Sequence, residues 1–135
     1  MPKILKTGVA IPEDVASKLD RIIKEFNMPS RSYALTRAAI EFVSERVWAI
    51  GEGEVLAGAI NILYDHTLHD LPEKLTDIQH NFMDIIRSTV HVHIDKKRCL
   101  EVILVYGRAE RIKELAKMIE KQRGVTYIKY SLTVI

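Results

Sequence analysis

The sequence predicts an α+β chain in two parts: a strand-helix-helix segment over residues 1–50 and a β-α-β-β-α-β unit over residues 54–135, joined at 51–53. Two observations carry this. Short β-branched or alternating runs are separated by apolar stripes at helical spacing, and Gly51-Glu52-Gly53 interrupts both patterns. A chain of 135 residues with 47% hydrophobic and 28% charged side chains has ordinary globular composition, enough for one domain or two small ones.

Residues 4–11 alternate, with Leu5, Thr7, Val9 and Ile11 on one face and Ile4, Lys6, Gly8 and Ala10 on the other, so the segment reads as a short strand. Pro12-Glu13-Asp14 opens a helix, because proline suits its first turn and acids suit its positive end. Val15, Leu19, Ile22, Ile23 and Phe26 form its stripe, and Asn27-Met28-Pro29 ends it. Ser30 or Ser32 caps a second helix, with Leu35, Ala38, Ala39, Phe42 and Val43 as stripe and an end near Trp48. One strand and two short helices cannot bury their apolar faces alone, so this segment is expected to dimerise.

Beyond the hinge the sequence predicts strand 55–64, helix 72–87, strands 89–94 and 99–106, helix 109–122 and strand 125–134. That order reads as a ferredoxin-like sheet with both helices on one face. Leu100, Val102 and Leu104 alternate with Cys99, Glu101, Ile103 and Val105, so both faces include apolar residues and another subunit is expected to cover the open one.

His80, His91, His93 and Cys99 form the pattern H-x10-H-x-H-x5-C, three imidazoles and a thiol suited to nickel, copper or zinc. His91 and His93 share a strand face. For Cys99 to join them, opposed strand positions must sum to an even number, which demands an odd-length hairpin loop or a bulge. His80 points away from the apolar stripe Leu75, Ile78, Phe82, Ile85 and Ile86. Taking Val90, Val92 and Ile94 to face the helices puts His91 and His93 on the open face. The expected site therefore takes His91, His93 and Cys99 from one subunit and His80 from a neighbour, so that binding energy becomes assembly energy. His66 and His69 offer a secondary H-x-x-H candidate, weighed against a plain surface role.

No apolar run approaches the length of a membrane helix and no signal-peptide core is present, so a cytoplasmic protein without membrane contact is expected. The single cysteine cannot form an internal disulfide. Net charge is +2, with a slight N-terminal excess of base, which alone says little about partners. Four protein ligands leave no open position for catalytic water, and no nucleophile triad, phosphate loop or dinucleotide fingerprint is present, so an enzyme is not expected.

The strand-helix-helix order resembles the ribbon-helix-helix DNA-binding fold, in which two chains form a ribbon that enters the major groove. The chain as a whole resembles the nickel-responsive transcription regulators (NikR). Its carriers are Gln79-His80, His91-Val92-His93, Cys99-Leu100-Glu101, Tyr64-Asp65-His66 and Arg31-Ser32. The resemblance implies a homotetramer with two N-terminal DNA-binding dimers flanking a ferredoxin-like (ACT-like) metal core. It implies one square-planar nickel(II) per chain, held by His91, His93 and Cys99 with another chain's His80, with copper or zinc as substitutes. It associates His66 with an accessory metal environment; Tyr64 and Glu101 are candidates for orienting the imidazoles. Double-stranded DNA is the implied partner, with Lys6, Gly8 and Ala10 at the ribbon's outward positions and Ser30, Arg31 and Ser32 at phosphate.

The chain departs from that pattern in two places. Where the family has an arginine and two hydroxyl residues on the ribbon, Gly8 and Ala10 carry no side-chain hydrogen-bonding group, which weakens base readout and favours a metal-buffering alternative. Where the family carries acids that help hold an interdomain cation, this chain has Tyr33 and Arg37, and a guanidinium there is expected to replace the ion.

Overall fold

The computed structural model describes residues 2–135. Their order is α1 (Glu13–Glu25), α2 (Arg31–Arg46), a 3-10 turn (Val47–Ile50), β1 (Val55–Asp65), α3 (Leu71–His80), β2 (Ile86–His93), β3 (Arg98–Arg108), α4 (Ala109–Glu120) and β4 (Val125–Val134). The chain divides into two compact units, residues 1–42 and 43–135.

In the first unit, acids at Glu13 and Asp14 open α1, and Asn27 (φ 51°) ends it in a left-handed turn that lets the Met28 amide reach Ile23 O at 2.9 Å. Ser30 is the cap of α2, its Oγ accepting the Tyr33 N–H at 3.1 Å. Among residues 2–42 only Ala34 is buried, while Ile4, Leu5 and Phe26 are 88%, 87% and 71% exposed. The strand expected at 4–11 is not formed: residues 2–12 carry no strand pairing. A strand is defined by its partner's hydrogen bonds, and the partner expected here is the same segment of a second chain.

The second unit is self-sufficient. Its antiparallel sheet runs β2-β3-β1-β4. Opposed pairs such as Tyr64↔Cys99, Ile62↔Glu101 and Ile60↔Ile103 place Leu56, Ile60, Ile62 and Tyr64 on the same face as Cys99, Glu101, Ile103 and Val105. All of these are buried with Leu71, Leu75 and Ile78 of α3 and Ile112, Leu115 and Ile119 of α4, so both helices cover this one face. Each fully buried aliphatic side chain stabilises by about 1.5–3 kcal/mol. The other face stays uncovered, with Val90, Val92, Leu104 and Tyr106 all 40–49% exposed.

One expected boundary moves. The helix predicted for 72–87 stops at His80, and residues 81–85 form turns in which Phe82 and Ile85 remain buried. Arg111 holds those turns, donating to Asn81 O at 2.6 Å and to Asp84 at 3.0 Å, and stacking 4.1 Å from the Phe82 ring centroid. Burial of Phe82 and Ile85, three residues apart, imitated a continuing helical stripe. The compact units divide within α2, between Phe42 and Val43.

Glu45 fastens the end of α2 within the second unit. Its carboxylate accepts the Tyr130 N–H at 3.0 Å and lies 3.3 Å from Lys129 Nζ and 3.2 Å from Arg46 Nη1. Trp48 donates to Glu45 O at 2.7 Å and sets its ring edge on Tyr130. The chain after Phe42 is thereby clamped to β4. Burial opposes ionisation of Glu45, but the Tyr130 N–H, Lys129 and Arg46 outweigh it and hold the carboxyl below its ordinary range. A lowered carboxyl contributes stability that is present above its unfolded pKa and lost as pH falls through the folded value. Glu45→Ala is expected to cost about 1.5–3 kcal/mol at neutral pH, because a charged acceptor is removed from the Tyr130 N–H. Urea unfolding of both proteins should show that difference shrinking below about pH 4.

Candidate metal centre

The site grows out of one hairpin. β2 and β3 pair His93↔Cys99 and His91↔Glu101, so the opposed positions sum to an even number, and the five residues 94–98 form the odd-length loop that this requires. Ile94 N donates to Arg98 O at 2.9 Å across the loop. Asp95 organises it, its carboxylate accepting the Lys97 and Arg98 amides at 2.9 and 2.7 Å and the Arg98 guanidinium at 2.8 and 2.6 Å. These contacts hold its carboxyl well below the usual range, the Arg98 side chain contributing most. Tyr64, Cys99 and His93 thus make one row across three strands, and Ile62, Glu101 and His91 make the next.

The loop after β1 brings another imidazole. His66 N donates to Lys97 O at 2.9 Å, Asp65 pairs with Lys97 at 3.6 Å, and Asp65 also accepts the Thr67 N–H at 2.9 Å. Gly124 (φ 100°) permits the close approach of this segment, since a Cβ there would meet Leu68 and Leu71 at 2.4 and 2.8 Å. The donor atoms of His66, His93 and Cys99 all lie within 4.8 Å of one another. Cys99 Sγ is 3.1 Å from His93 Nδ1, and the His91 and His93 ring centroids are 5.0 Å apart. His66 Nε2 also sits 3.3 Å from Asp95 O.

Cys99 is fully buried while His91 and His93 are exposed, so the cluster opens at the rim of the helix-covered face. Burial raises the Cys99 thiol, Glu101 and Asp95 add to this, and the Tyr64 hydroxyl works against it. Tyr64 is itself pushed far above its ordinary value by burial and by Glu101 and Cys99, so it stays a neutral hydroxyl, 3.3 Å from His91 Nδ1. Buried Glu101 accepts Gln79 Nε2 at 2.8 Å, and Gln79 Oε1 accepts Thr89 Oγ1 at 2.9 Å, tying the end of α3 to β2 and β3. A buried thiol beside a carboxylate, with imidazoles at its open side, is a donor set that a divalent soft or borderline cation completes by supplying the missing positive charge.

The face assignment from sequence is reversed. Val90 and Val92 lie on the uncovered face, and His91 and His93 share the helix-covered face with Cys99. Period-two alternation separates two faces without saying which the helices take. On edge strand β2 burial does not distinguish them either, since residues 87–93 are all exposed. His80, the last residue of α3, is exposed as expected and is on the same side of the sheet as the other ligands, but it is not part of the cluster. His69 is exposed against Asp70 and does not join His66. Sequence reasoning missed Gln79, Thr89 and Asp95 as organisers. Asp95 at the head of a polar turn carried a signal, as aspartate side chains bond amides two residues on, whereas Gln79 and Thr89 carried none.

In the N-terminal unit Lys6, Gly8, Ala10 and Ser32 are exposed, nothing lies within 4 Å of a Cβ built at Gly8, and Arg31 is paired with Asp20. Arg37 sits on α2, 3.9 Å from Glu41.

Residues 57–133 match the family described as NikR C terminal nickel binding domain. A protein of Dictyoglomus thermophilum, provisionally named as a nickel-responsive regulator, is 42% identical over 98% of this chain and 98% of its own length. Proteins under the same provisional name are 40% identical in Thermococcus kodakarensis, over 97% of this chain and 94% of theirs, and 38% identical in Methanocaldococcus jannaschii, over 99% and 95%.

The hairpin loop generates a direct test. Asp95→Ala removes the acceptor that fixes residues 95–98 while leaving every donor atom in place. Nickel(II) affinity, followed by competition with a chelator, is expected to fall about tenfold or more, the usual cost of losing an outer partner of a metal ligand. Unchanged affinity would show that the loop does not set the register of His93 and Cys99.

Proposed function

This chain belongs to the nickel-responsive regulator family, a family of regulators and not of enzymes, and we propose that it is a transcriptional regulator whose DNA binding is governed by metal held at a subunit interface. The observation that carries this reading is the hairpin register that brings His93 and Cys99 together with His91 beside them, on a chain whose fourth candidate ligand, His80, stands exposed and apart.

On this reading His91, His93 and Cys99 of one chain and His80 of another hold one nickel(II) per chain, with copper or zinc able to substitute. The bound ion would supply the positive charge that keeps the thiol ionised and the link between two chains. Tyr64 would orient the His91 ring through Nδ1, and Glu101, held by Gln79, would keep the row beneath it in place. Since His66 already lies with His93 and Cys99, it would serve as an accessory donor before a second chain arrives. Coordination energy then becomes assembly energy. The uncovered apolar face with Val90, Val92, Leu104 and Tyr106 favours further association, and a homotetramer accounts for both surfaces.

Residues 1–50 would pair between chains as a ribbon-helix-helix module on double-stranded DNA, 51–53 linking it to the metal-binding and tetramerising residues 54–135. The nearly coreless first unit supports this, since only a second copy of the same segment offers its strand a partner and its helices a core. Metal would strengthen binding by fixing two such dimers on one duplex, raising their effective concentration. No described helix is long and apolar enough to cross a membrane, and the proposed work is cytoplasmic. A second reading, a metal-buffering protein with weakened DNA readout, is favoured by Gly8 and Ala10, which offer bases no side-chain donor or acceptor.

Two experiments test these readings. Selection on sheared genomic DNA, with nickel and then with chelator, is expected to enrich defined fragments only with nickel; no retention under either condition leaves the buffering reading. Separately, His80→Ala and Cys99→Ala chains should each lack the complete site. Refolding them together should recover the thiolate-to-nickel charge-transfer band and the chelator resistance of the native protein in part, because the first contributes the trio and the second its His80. Failure of the mixture to recover either would rule out a site shared between chains.

A further inference from the structure

The basic side chain expected to meet a phosphate at the start of α2 is already engaged. Arg31, the first residue of α2, donates from Nε and Nη2 to the two carboxylate oxygens of Asp20 on α1, at 2.8 and 2.6 Å. A guanidinium presents a planar fork of donors, and a carboxylate and a phosphate each fill it with two oxygens. Ser30 is engaged too, its hydroxyl oxygen accepting the Tyr33 N–H.

Resting on the DNA-binding reading above, we propose that Asp20 is an internal substitute for phosphate at Arg31, and so sets how strongly this end of α2 holds a nucleic-acid backbone. Two features support it. The pair joins α1 to α2 across the Asn27 turn, so the carboxylate occupies the fork that would otherwise turn outward beside the helix N-terminus, where an anion is favoured. Both side chains remain open to solvent, 65% for Arg31 and 46% for Asp20, so exchange of one oxygen pair for another requires no unfolding. Exposed ion pairs are weak, which makes Asp20 a competitor rather than a permanent block.

The test uses the full-length nickel-loaded protein and generic duplex DNA at a series of salt concentrations. Asp20→Asn is expected to bind more tightly and to steepen the slope of log affinity against log salt by about one unit for each Arg31 that gains a phosphate. Arg31→Ala should lower that slope by clearly less in the native background, where Asp20 competes for the fork, than in the Asp20→Asn background, where the full unit is lost. A full unit of slope lost on Arg31→Ala alone would show that Arg31 already contacts phosphate, and would overturn the proposal. No gain from Asp20→Asn, with helix content intact by circular dichroism, would overturn it as well. Should Asp20→Asn lose its helices, the slope of Arg31→Ala alone decides. Absence of duplex binding by every variant at low salt, with nickel still bound, removes the DNA-binding reading itself and this proposal with it.

Discussion

The register of the β2–β3 hairpin is the constraint on which the rest of the candidate site depends. A strand shows alternate side chains to alternate faces, so a loop one residue shorter or longer between regular strands would send Cys99 to the opposite face from His93. The five residues 94–98 prevent this, and Asp95 gives the loop its shape by accepting two of its amides and its arginine. Everything else at the site is arranged around that row. The β1 pairing sets Tyr64 against Cys99, the loop after β1 fastens His66 to Lys97 O, and Gln79 reaches down from α3 to Glu101.

Much of this was legible in the sequence because it rests on spacing alone. The residue numbers of His91, His93 and Cys99 state the register they need, an odd-length loop or a bulge, which the pairing supplies, and the β-α-β-β-α-β order follows from alternation and helical stripes. The orientation of β2 was not legible. Both of its faces carry side chains that remain exposed in one chain, so hydrophobicity argued for Val90 and Val92 against the helices, whereas pairing with Cys99 and Glu101 puts the histidines on that side. The end of α3 was hidden for a related reason. Phe82 and Ile85 are buried from turns instead of a helix, and Arg111, which secures those turns, lies far along the chain. The strand expected at residues 4–11 has no pairing partner among the described residues, and alternation alone does not supply one.

The two units differ in what holds them. The second contains a continuous buried cluster running from Trp48 to Tyr130, to which Glu45 fastens the tail of α2. The first buries Ala34 and little else and relies on caps, helix-end charges and the Asp20–Arg31 pair. Its apolar stripe at Val15, Ile22 and Phe26 remains open, the surface that the proposed pairing of two chains would bury. The candidate metal donors and the core packing therefore reside together in residues 43–135, whereas the surface proposed for DNA lies in the part with the least packing of its own.

That distribution bears on how such a chain can change over generations. Position 8 has no neighbour within van der Waals reach in its own chain, and Lys6 and Ala10 are exposed as well. Substitutions there disturb no core and none of the candidate metal donors in the chain itself, and would be limited by the proposed strand pairing between chains. Positions 91, 93 and 99 have no such latitude, being fixed by register and by one another. If the proposed function holds, the outward ribbon can drift from one recognition preference to another while the metal donors stay still, so a lineage can rewire what the protein addresses without relearning what it detects.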